Sequence, residues 1–110
     1  MPSPSYLPEQ TERSVIERMP GWVLLDFGTN WCGHCQVARH ATTEVLDAVT
    51  NLHRVRVEDG PGRTLGRSFK VKIWPTWVLL KDGLEVARLV RPTQAHQARE
   101  FLAVCSAAAG

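Results

Sequence analysis

The chain of 110 residues lacks several features that would indicate an unusual class of protein. With three cysteines it cannot build a framework of several disulfide bonds. It has no apolar run of eighteen or more residues, which argues against a transmembrane helix. Its formal net charge of +2 is too small to indicate binding to nucleic acid or to a membrane surface. We therefore expect neither nucleic acid nor a membrane among its partners.

Secretory features are also missing from the first twenty residues. No basic start is followed by an apolar segment, so we expect no signal peptide and a cytoplasmic protein. Residues 1–7 are rich in proline and serine and are predicted to form a flexible arm. The composition, 44% hydrophobic and 22% charged, is that of a globular protein. The length suits a single domain over residues 1–110, and we expect a monomer.

Hydrophobic periodicity predicts a succession of helices and strands. The predicted order is helix 9–19, strand 22–27, a helix ending near residue 51, strand 53–58, short helix 63–69, strand 76–81, strand 84–90 and a last helix. Asp82-Gly83 is a strong signal for a two-residue hairpin. Thr93 is expected to cap the last helix, with Cys105 on its buried face. We expect two right-handed strand–helix–strand crossovers, which place helices on both faces of a mixed sheet.

Two cysteines, Cys32 and Cys35, fall where the first predicted strand ends and the next helix begins. The first turn of a helix has unpaired N–H groups and the positive end of the helix dipole, so it stabilises an anion. A thiolate is such an anion, and it is the reactive form of cysteine. Two intervening residues let both sulfurs meet at the helix start, and Gly33 supplies the turn without steric bulk. The spacing therefore indicates thiol–disulfide exchange.

Further motifs accompany this pair. Trp31-Cys-Gly-His-Cys35 follows a buried strand, Trp74-Pro75-Thr76 precedes another about forty residues later, and Lys81-Asp-Gly83 marks a hairpin. Together with the last helix, they resemble the thioredoxin family over residues 9–105, with an active site of the protein disulfide isomerase type. The resemblance implies an α/β thioredoxin fold with a central mixed four-stranded sheet and helices on both faces. The first strand of the family has no convincing counterpart in residues 1–7.

The resemblance also implies a role for each matching residue. Cys32 matches the exposed nucleophile, and Cys35 matches its more buried resolving partner. Pro75 matches a proline held in the cis form beside the dithiol, where the flanking backbone pairs with a bound peptide. Trp31 matches the aromatic residue that flanks the site, and Asp26 matches the buried acid.

The implied activity is the reduction of protein disulfides by dithiol–disulfide exchange. The redox group is the disulfide between Cys32 and Cys35, and no other cofactor and no metal is implied. The implied partners are disulfide-containing client proteins and a thioredoxin reductase.

Two of these positions also carry an argument of their own. Asp26 lies in an otherwise apolar strand, where burial should raise its pKa and suit it to accept a proton from Cys35. The alternative is a polar strand residue satisfied by backbone or water. His34 stands where ordinary thioredoxins have proline. Because a histidine can stabilise a nearby thiolate, we expect a potential between roughly −270 and −180 mV, and a lower potential for His34→Pro.

Three positions depart from the family pattern. Gly28 replaces an aromatic residue, which leaves space that Trp74 or Trp77 could fill. Trp74 is itself unusual before the proline, and it is expected either to contact an apolar part of the substrate or to serve as a packing residue. Arg91-Pro92 replaces a glycine near the binding groove, so the choice of partner is expected to differ.

Other functions fit parts of the pattern. His34 favours a disulfide oxidase or isomerase, although the missing signal disfavours it. A non-catalytic binding module would not need both cysteines. A structural zinc site usually needs a second close pair of ligands, which the chain lacks.

Cys105 is expected to be a core thiol, with regulatory oxidation as the alternative. Arg63, Arg67 and Lys70 are expected to form a solvated face.

Overall fold

The fold is given by a computed structural model, which describes residues 12–109 and, among these, the side chains of residues 12–105. The arm predicted over residues 1–7, the start of the helix predicted from residue 9, and the question of an additional first strand lie outside the described residues. The single-domain organisation over residues 1–110 stays a prediction.

Helices and strands alternate along the described chain much as the hydrophobic pattern predicts. The elements are α1 (Arg13–Glu17), β1 (Trp22–Gly28), α2 (Gly33–Ala48), β2 (Leu52–Glu58), α3 (Thr64–Ser68), β3 (Thr76–Lys81), β4 (Leu84–Val90) and α4 (Ala95–Ala109). α2 ends earlier than predicted because the backbone of Val49 is already extended. None of the helices in this part of the chain has both the length and the hydropathy of a membrane span.

The strands form one sheet in the order β2-β1-β3-β4. β1 pairs in parallel with β2 and antiparallel with β3, and β3 pairs antiparallel with β4. The predicted mixed four-stranded sheet is confirmed. The prediction of two crossovers is wrong for the second, because β3 lies on the other side of β1 and runs in the opposite direction. Of the two, β1–α2–β2 is the unit that joins parallel neighbours.

β1 is the central element of the fold. It is buried along its whole length, which accounts for its continuous apolar run. Val23, Leu25 and Phe27 pack on one face with residues of α1 and α3. Trp22 and Leu24 pack on the opposite face with residues of α2 and α4. The prediction of helices on both faces is confirmed.

The β3–β4 hairpin is anchored to the start of β1. Asp82 and Gly83 have φ values of 50° and 85°, the left-handed region that a two-residue Asp-Gly turn requires. The Asp82 carboxylate accepts the N–H of Gly21 at 2.7 Å. In return, the N–H of Asp82 donates to the Gly21 carbonyl at 3.0 Å. The predicted hairpin is confirmed, and its tip is held in place by these two bonds.

The prediction that Thr93 caps the last helix is wrong. α4 begins at Ala95. The amide oxygen of Gln97 accepts the N–H groups of Thr93 at 2.7 Å and Gln94 at 3.0 Å. A glutamine at the third helical position can reach back to the residue before the helix, as in one half of a capping box. The side chain that closes this helix therefore comes from inside it.

Candidate active site

Cys32 and Cys35 lie together at the start of α2. Cys32 is the residue before the helix, with extended backbone at φ −77° and ψ 122°. Its carbonyl accepts the N–H of Gln36 at 3.1 Å, which closes the first turn around Cys35. Both cysteines are thiols and belong to one buried cluster. The strand end and the helix start thus bring the pair to the dipole end that favours a thiolate.

The accessibility of the two thiols follows the implied order. Cys32 is 9% exposed and Cys35 is 2% exposed. Cys32 is nevertheless less open than the exposed nucleophile that the resemblance implies. The physical reason is Trp74, which packs against both cysteines and covers part of the pair. Trp74 therefore serves as a packing residue, and the residues it packs against are the two cysteines of the site.

Two tryptophans stand beside the dithiol. Trp31 is 75% exposed. Its ring meets that of Trp74 edge to face, with centroids 5.8 Å apart and an interplanar angle of 82°, a favourable arrangement for aromatic rings. Trp77, in contrast, is buried in the core and packs against Phe101 of α4. Trp74 and Trp77 were both considered for the space left by Gly28. Trp77 instead packs in the core cluster with α4.

Asp59 holds Trp74 in place, and the sequence pattern did not reveal this residue. The indole N–H of Trp74 donates to Oδ2 of Asp59 at 2.8 Å. The backbone N–H of Asp59 in turn donates to the carbonyl of Gly28 at 2.9 Å. Trp74 is therefore tied, through Asp59, to the end of β1 where the family has an aromatic residue.

The Trp74–Pro75 peptide bond is cis, as the resemblance implies, and Pro75 is fully buried. Arg91 contacts both residues. Its N–H donates to the Pro75 carbonyl at 3.0 Å, and its Nε donates to the Trp74 carbonyl at 2.7 Å. Its φ of 51° lies in the left-handed region, which is consistent with the glycine that Arg91-Pro92 replaces. The sequence marked the replacement but not this hydrogen bond.

Asp26 is buried, as predicted, and it has a charged partner that the sequence reasoning missed. Oδ2 of Asp26 lies 3.2 Å from Nε of Arg56, and both side chains are nearly buried. The parallel register of β1 and β2 sets the two residues side by side. A neighbouring guanidinium favours the ionised carboxylate, whereas burial disfavours it, so the two effects oppose each other. The alternating charges of β2 beside an acid in β1 were the available signal.

A cavity of about 310 Å³ adjoins this ion pair. Asp26, Leu46, His53 and Arg56 are among its lining residues. The cavity is large enough to hold water, and it offers polar partners to such a water. The buried carboxylate therefore adjoins a space in which water could contact it.

Gly33 and His34 are both exposed at the start of α2. A Cβ at Gly33 would meet no atom within 4 Å, and the backbone there is not left-handed. The fold alone therefore does not require glycine at this position. The redox-tuning roles of Gly33 and His34 stay predictions.

Cys105 lies apart from the dithiol, in the core cluster shared by β1, β3, α2 and α4. Its side chain is fully buried. Burial raises the pKa of the Cys105 thiol, an effect that a backbone hydrogen bond and the charge of Lys81 partly offset. The prediction of a core thiol is confirmed.

A mixed sheet of this order, with a dithiol where β1 meets α2 and a cis-proline before β3, defines a protein of the thioredoxin-fold class. Residues 6–104 match the family model described as thioredoxin. The chain belongs to the thioredoxin family, whose members are disulfide oxidoreductases.

Known relatives are similar in sequence and in structure. The reduced form of thioredoxin 2 from Pseudomonas aeruginosa PAO1 is 47% identical, with a TM-score of 0.83 over 94% of this chain and 96% of that chain. Thioredoxin-2 from Pyricularia oryzae is 35% identical over 69 residues, which are 63% of this chain and 40% of that protein. Thioredoxin from Mycobacterium bovis is 33% identical over 69 residues, 62% of this chain and 60% of that protein. The chain thus spans about half the length of the curated relatives it matches.

Proposed function

We propose that this protein is a thiol–disulfide oxidoreductase that reduces disulfide bonds of client proteins through Cys32 and Cys35. The observation that carries the proposal is the position of the two thiols. Cys32 precedes the first residue of α2 and Cys35 lies in its first turn, both in one cluster. Unpaired N–H groups at this helix start stabilise negative charge on sulfur.

The reaction transfers two electrons from the protein to the client. The Cys32 thiolate attacks one sulfur of the client disulfide, forms a mixed disulfide and expels the other client sulfur as a thiolate, which takes up a proton. The Cys35 thiol then loses its proton, and the thiolate attacks the Cys32 sulfur. The client leaves as a dithiol, and a Cys32–Cys35 disulfide is left on the protein. No other cofactor takes part in these steps.

Asp26 is proposed to accept the proton of Cys35 during the second step. A base for this step must reach the Cys35 thiol, directly or through one water, and be ionised when it acts. The Arg56 guanidinium supports the second condition, because it stabilises the carboxylate before the proton arrives. The adjoining cavity would let the proton leave to solvent afterwards.

Trp31, Trp74 and Pro75 are proposed to bind the client beside the reacting sulfurs. The exposed ring of Trp31 offers apolar area to a client side chain. Trp74 presents its ring next to Cys32, and Pro75, whose side chain is buried, contributes the backbone beside it. Partner choice would follow from this surface, since exchange requires the client sulfur to approach Cys32 in line with the bond that breaks.

A thioredoxin reductase is proposed to restore the dithiol after each turnover. The protein is proposed to act as a monomer in the cytoplasm, where it serves electron transport and redox homeostasis. His34 gives a reason to keep a second candidate, an oxidase or isomerase activity. A histidine that stabilises the reduced form would make the disulfide more oxidising. The reducing activity is preferred because the matching family model and the similar proteins are thioredoxins.

Insulin-disulfide reduction with dithiothreitol tests the proposal. The wild-type protein should accelerate precipitation of the insulin B chain, and Cys32→Ser should not. Cys105→Ala is the matched control, because it removes a thiol from the core and not from the site. Equal rates for wild type and Cys32→Ser would contradict the oxidoreductase function. The remaining candidate would then be the non-catalytic binding module. Reactivation of scrambled ribonuclease in a glutathione buffer measures isomerase activity. If this reactivation is faster than insulin reduction, the isomerase function is favoured.

A further inference from the structure

A cationic groove borders the dithiol on the side of Trp74. It has a volume of about 550 Å³. We use the name cationic groove for the cavity whose charged lining residues are Arg63, Arg67, Lys70, Lys72 and Asp59. Trp74 lines the groove and also packs against Cys32 and Cys35. An occupant of the groove would therefore contact the same tryptophan that packs against the reacting cysteines.

Most of the positive charge in the groove is uncompensated. Arg63 pairs with Glu58 at 2.7 Å, and Asp59 accepts the indole N–H of Trp74. Arg67, Lys70 and Lys72 are exposed, and no ion pair among the described residues includes them. Three cations that converge on one cavity favour an anionic ligand more than a solvated face would.

The backbone at Lys70 adds a second observation. The N–H of Val71 donates to the carbonyl of Gly66 at 2.9 Å, and the N–H of Lys70 donates to that of Arg67 at 3.0 Å. This is a Schellman motif, in which the position of Lys70 is usually glycine. Lys70 has a φ of 58° there, a conformation that is unfavourable for a residue with a Cβ. A strained residue that also carries a charge into a cavity suggests a functional reason.

We propose that the cationic groove binds an acidic segment of the client polypeptide and so gives preference to disulfides flanked by Asp or Glu. The proposal rests on the proposed function and names its substrate class. A polypeptide is favoured over a nucleic acid because Trp74 is shared with the dithiol, so the anion must be attached to the disulfide being reduced. Carboxylates at the groove would raise the encounter rate and fix the direction of the bound chain.

Two disulfide peptides that differ in charge provide the test. Their sequences are identical except for Glu or Lys at the positions that flank the disulfide, and a Gln peptide is the neutral reference. The wild-type protein in low salt should show kcat/KM at least fivefold higher for the Glu peptide than for the Lys peptide. Because exposed charge pairs interact weakly, Arg67→Gln and Lys72→Gln should each lower this ratio about two- to threefold. Salt of 0.3 M should lower it as well.

Matched variants separate charge from folding. Arg99→Gln removes an exposed arginine from α4 on the opposite side of the sheet, and the ratio should stay at the wild-type value. Lys70→Gly removes a cation while relieving the left-handed backbone, so it should lower the ratio and raise the urea midpoint of unfolding. A ratio unchanged in Arg67→Gln, Lys72→Gln and Lys70→Gly would overturn the proposal.

Binding without turnover distinguishes the proposal from the proposed function. A fluorescent Glu peptide with serine in place of both cysteines should bind the wild type more tightly than Arg67→Gln by about two- to threefold. This result would support the groove even if the Gln peptide were not reduced, an outcome that would refute the oxidoreductase activity. Equal binding of Glu and Lys peptides, together with Arg67-dependent binding of a single-stranded oligonucleotide, would assign the groove to nucleic acid and overturn the proposal.

Discussion

The indole nitrogen of Trp74 donates a hydrogen bond to Oδ2 of Asp59 at 2.8 Å. This bond fixes the ring that separates the dithiol from the cationic groove. Asp59 is itself held from the other side, because its carboxylate lies against Gly66 of α3. These two contacts of Asp59 thus determine the position of the Trp74 ring beside the dithiol.

Gly66→Ala should destabilise the protein by about 1 kcal/mol, because the new Cβ would displace the carboxylate of Asp59 and so break its hydrogen bond to Trp74. In an Asp59→Ala background the overlap is gone. The same substitution should there stabilise by up to about 1 kcal/mol, since alanine is the better helix former. Urea unfolding of the four variants measures this change of sign. Gly33→Ala, where a Cβ meets nothing, is the stability control. Additive effects would contradict the contact.

Asp26→Ala should slow insulin reduction more at pH 7 than at pH 9. If Asp26 accepts the proton of Cys35, its loss matters most where the thiol does not ionise unaided. Rates of insulin reduction across this pH range measure the difference. An equal loss at both values would show that Asp26 is structural.

The ion pair of Asp26 and Arg56 should be visible in stability as well. Asp26→Asn, Arg56→Met and the double variant form a cycle, in which we expect a favourable coupling of about 0.5–3 kcal/mol. Denaturant unfolding at pH 7 gives this coupling. The control is the same kind of cycle for Arg54, which lies on the same strand and pairs at the surface with Asp47. The coupling between Arg54 and Asp47 should stay below about 1 kcal/mol. A coupling near zero for Asp26 and Arg56 would contradict the pairing seen here.

His34→Pro should lower the reduction potential of the Cys32–Cys35 disulfide. The imidazole can donate a hydrogen bond to a thiolate, which stabilises the dithiol, and proline cannot. Each 1.4 kcal/mol of lost stabilisation corresponds to about 30 mV, so a decrease of about 20–40 mV is expected. Equilibration with glutathione buffers measures the potential. His40→Gln changes another exposed histidine of α2 and should leave the potential unchanged. An unchanged or raised potential in His34→Pro would contradict the tuning role.

Gly83→Ala should destabilise the protein by more than 2 kcal/mol. Gly83 has a φ of 85°, and a Cβ there would overlap the backbone carbonyl of Glu17, which cannot move aside as a side chain can. Asp82→Asn is the matched control, because asparagine tolerates the left-handed backbone and keeps an acceptor for the Gly21 N–H. Its effect should be within about 0.5 kcal/mol in urea unfolding. Equal midpoints for the two variants would contradict the packing of the hairpin tip against α1.

Cys105 should resist alkylation in the folded protein, whereas Cys32 should react. Burial shields the Cys105 sulfur and raises the pKa of its thiol. Because that pKa is raised on folding, the neutral thiol supports stability fully below about pH 8.5, and this contribution is lost as the pH rises toward the folded-state value. Iodoacetamide labelling with peptide mass analysis tests the first statement. A stability difference between wild type and Cys105→Ala that does not change between pH 7 and pH 10 would contradict the second.

Local patterns account for what could be predicted. The strands β3 and β4 were predicted with their observed bounds. Both are apolar segments that meet at Asp82-Gly83, a residue pair with a strong preference for a two-residue hairpin turn. The dithiol was predicted because Cys32 and Cys35 are close in sequence and lie at a change from strand to helix. Such signals need no information about distant residues.

The sequence by itself therefore determined the dithiol, the elements that carry it and the family to which the chain belongs. Tertiary structure alone decided the partners of the key side chains. Arg56 meets Asp26 through strand register, Asp59 meets Trp74 across a loop, and Arg91 occupies the Trp74 carbonyl. These contacts join residues at least fifteen positions apart, and no local propensity encodes them. Their geometry follows from how the sheet and its helices pack.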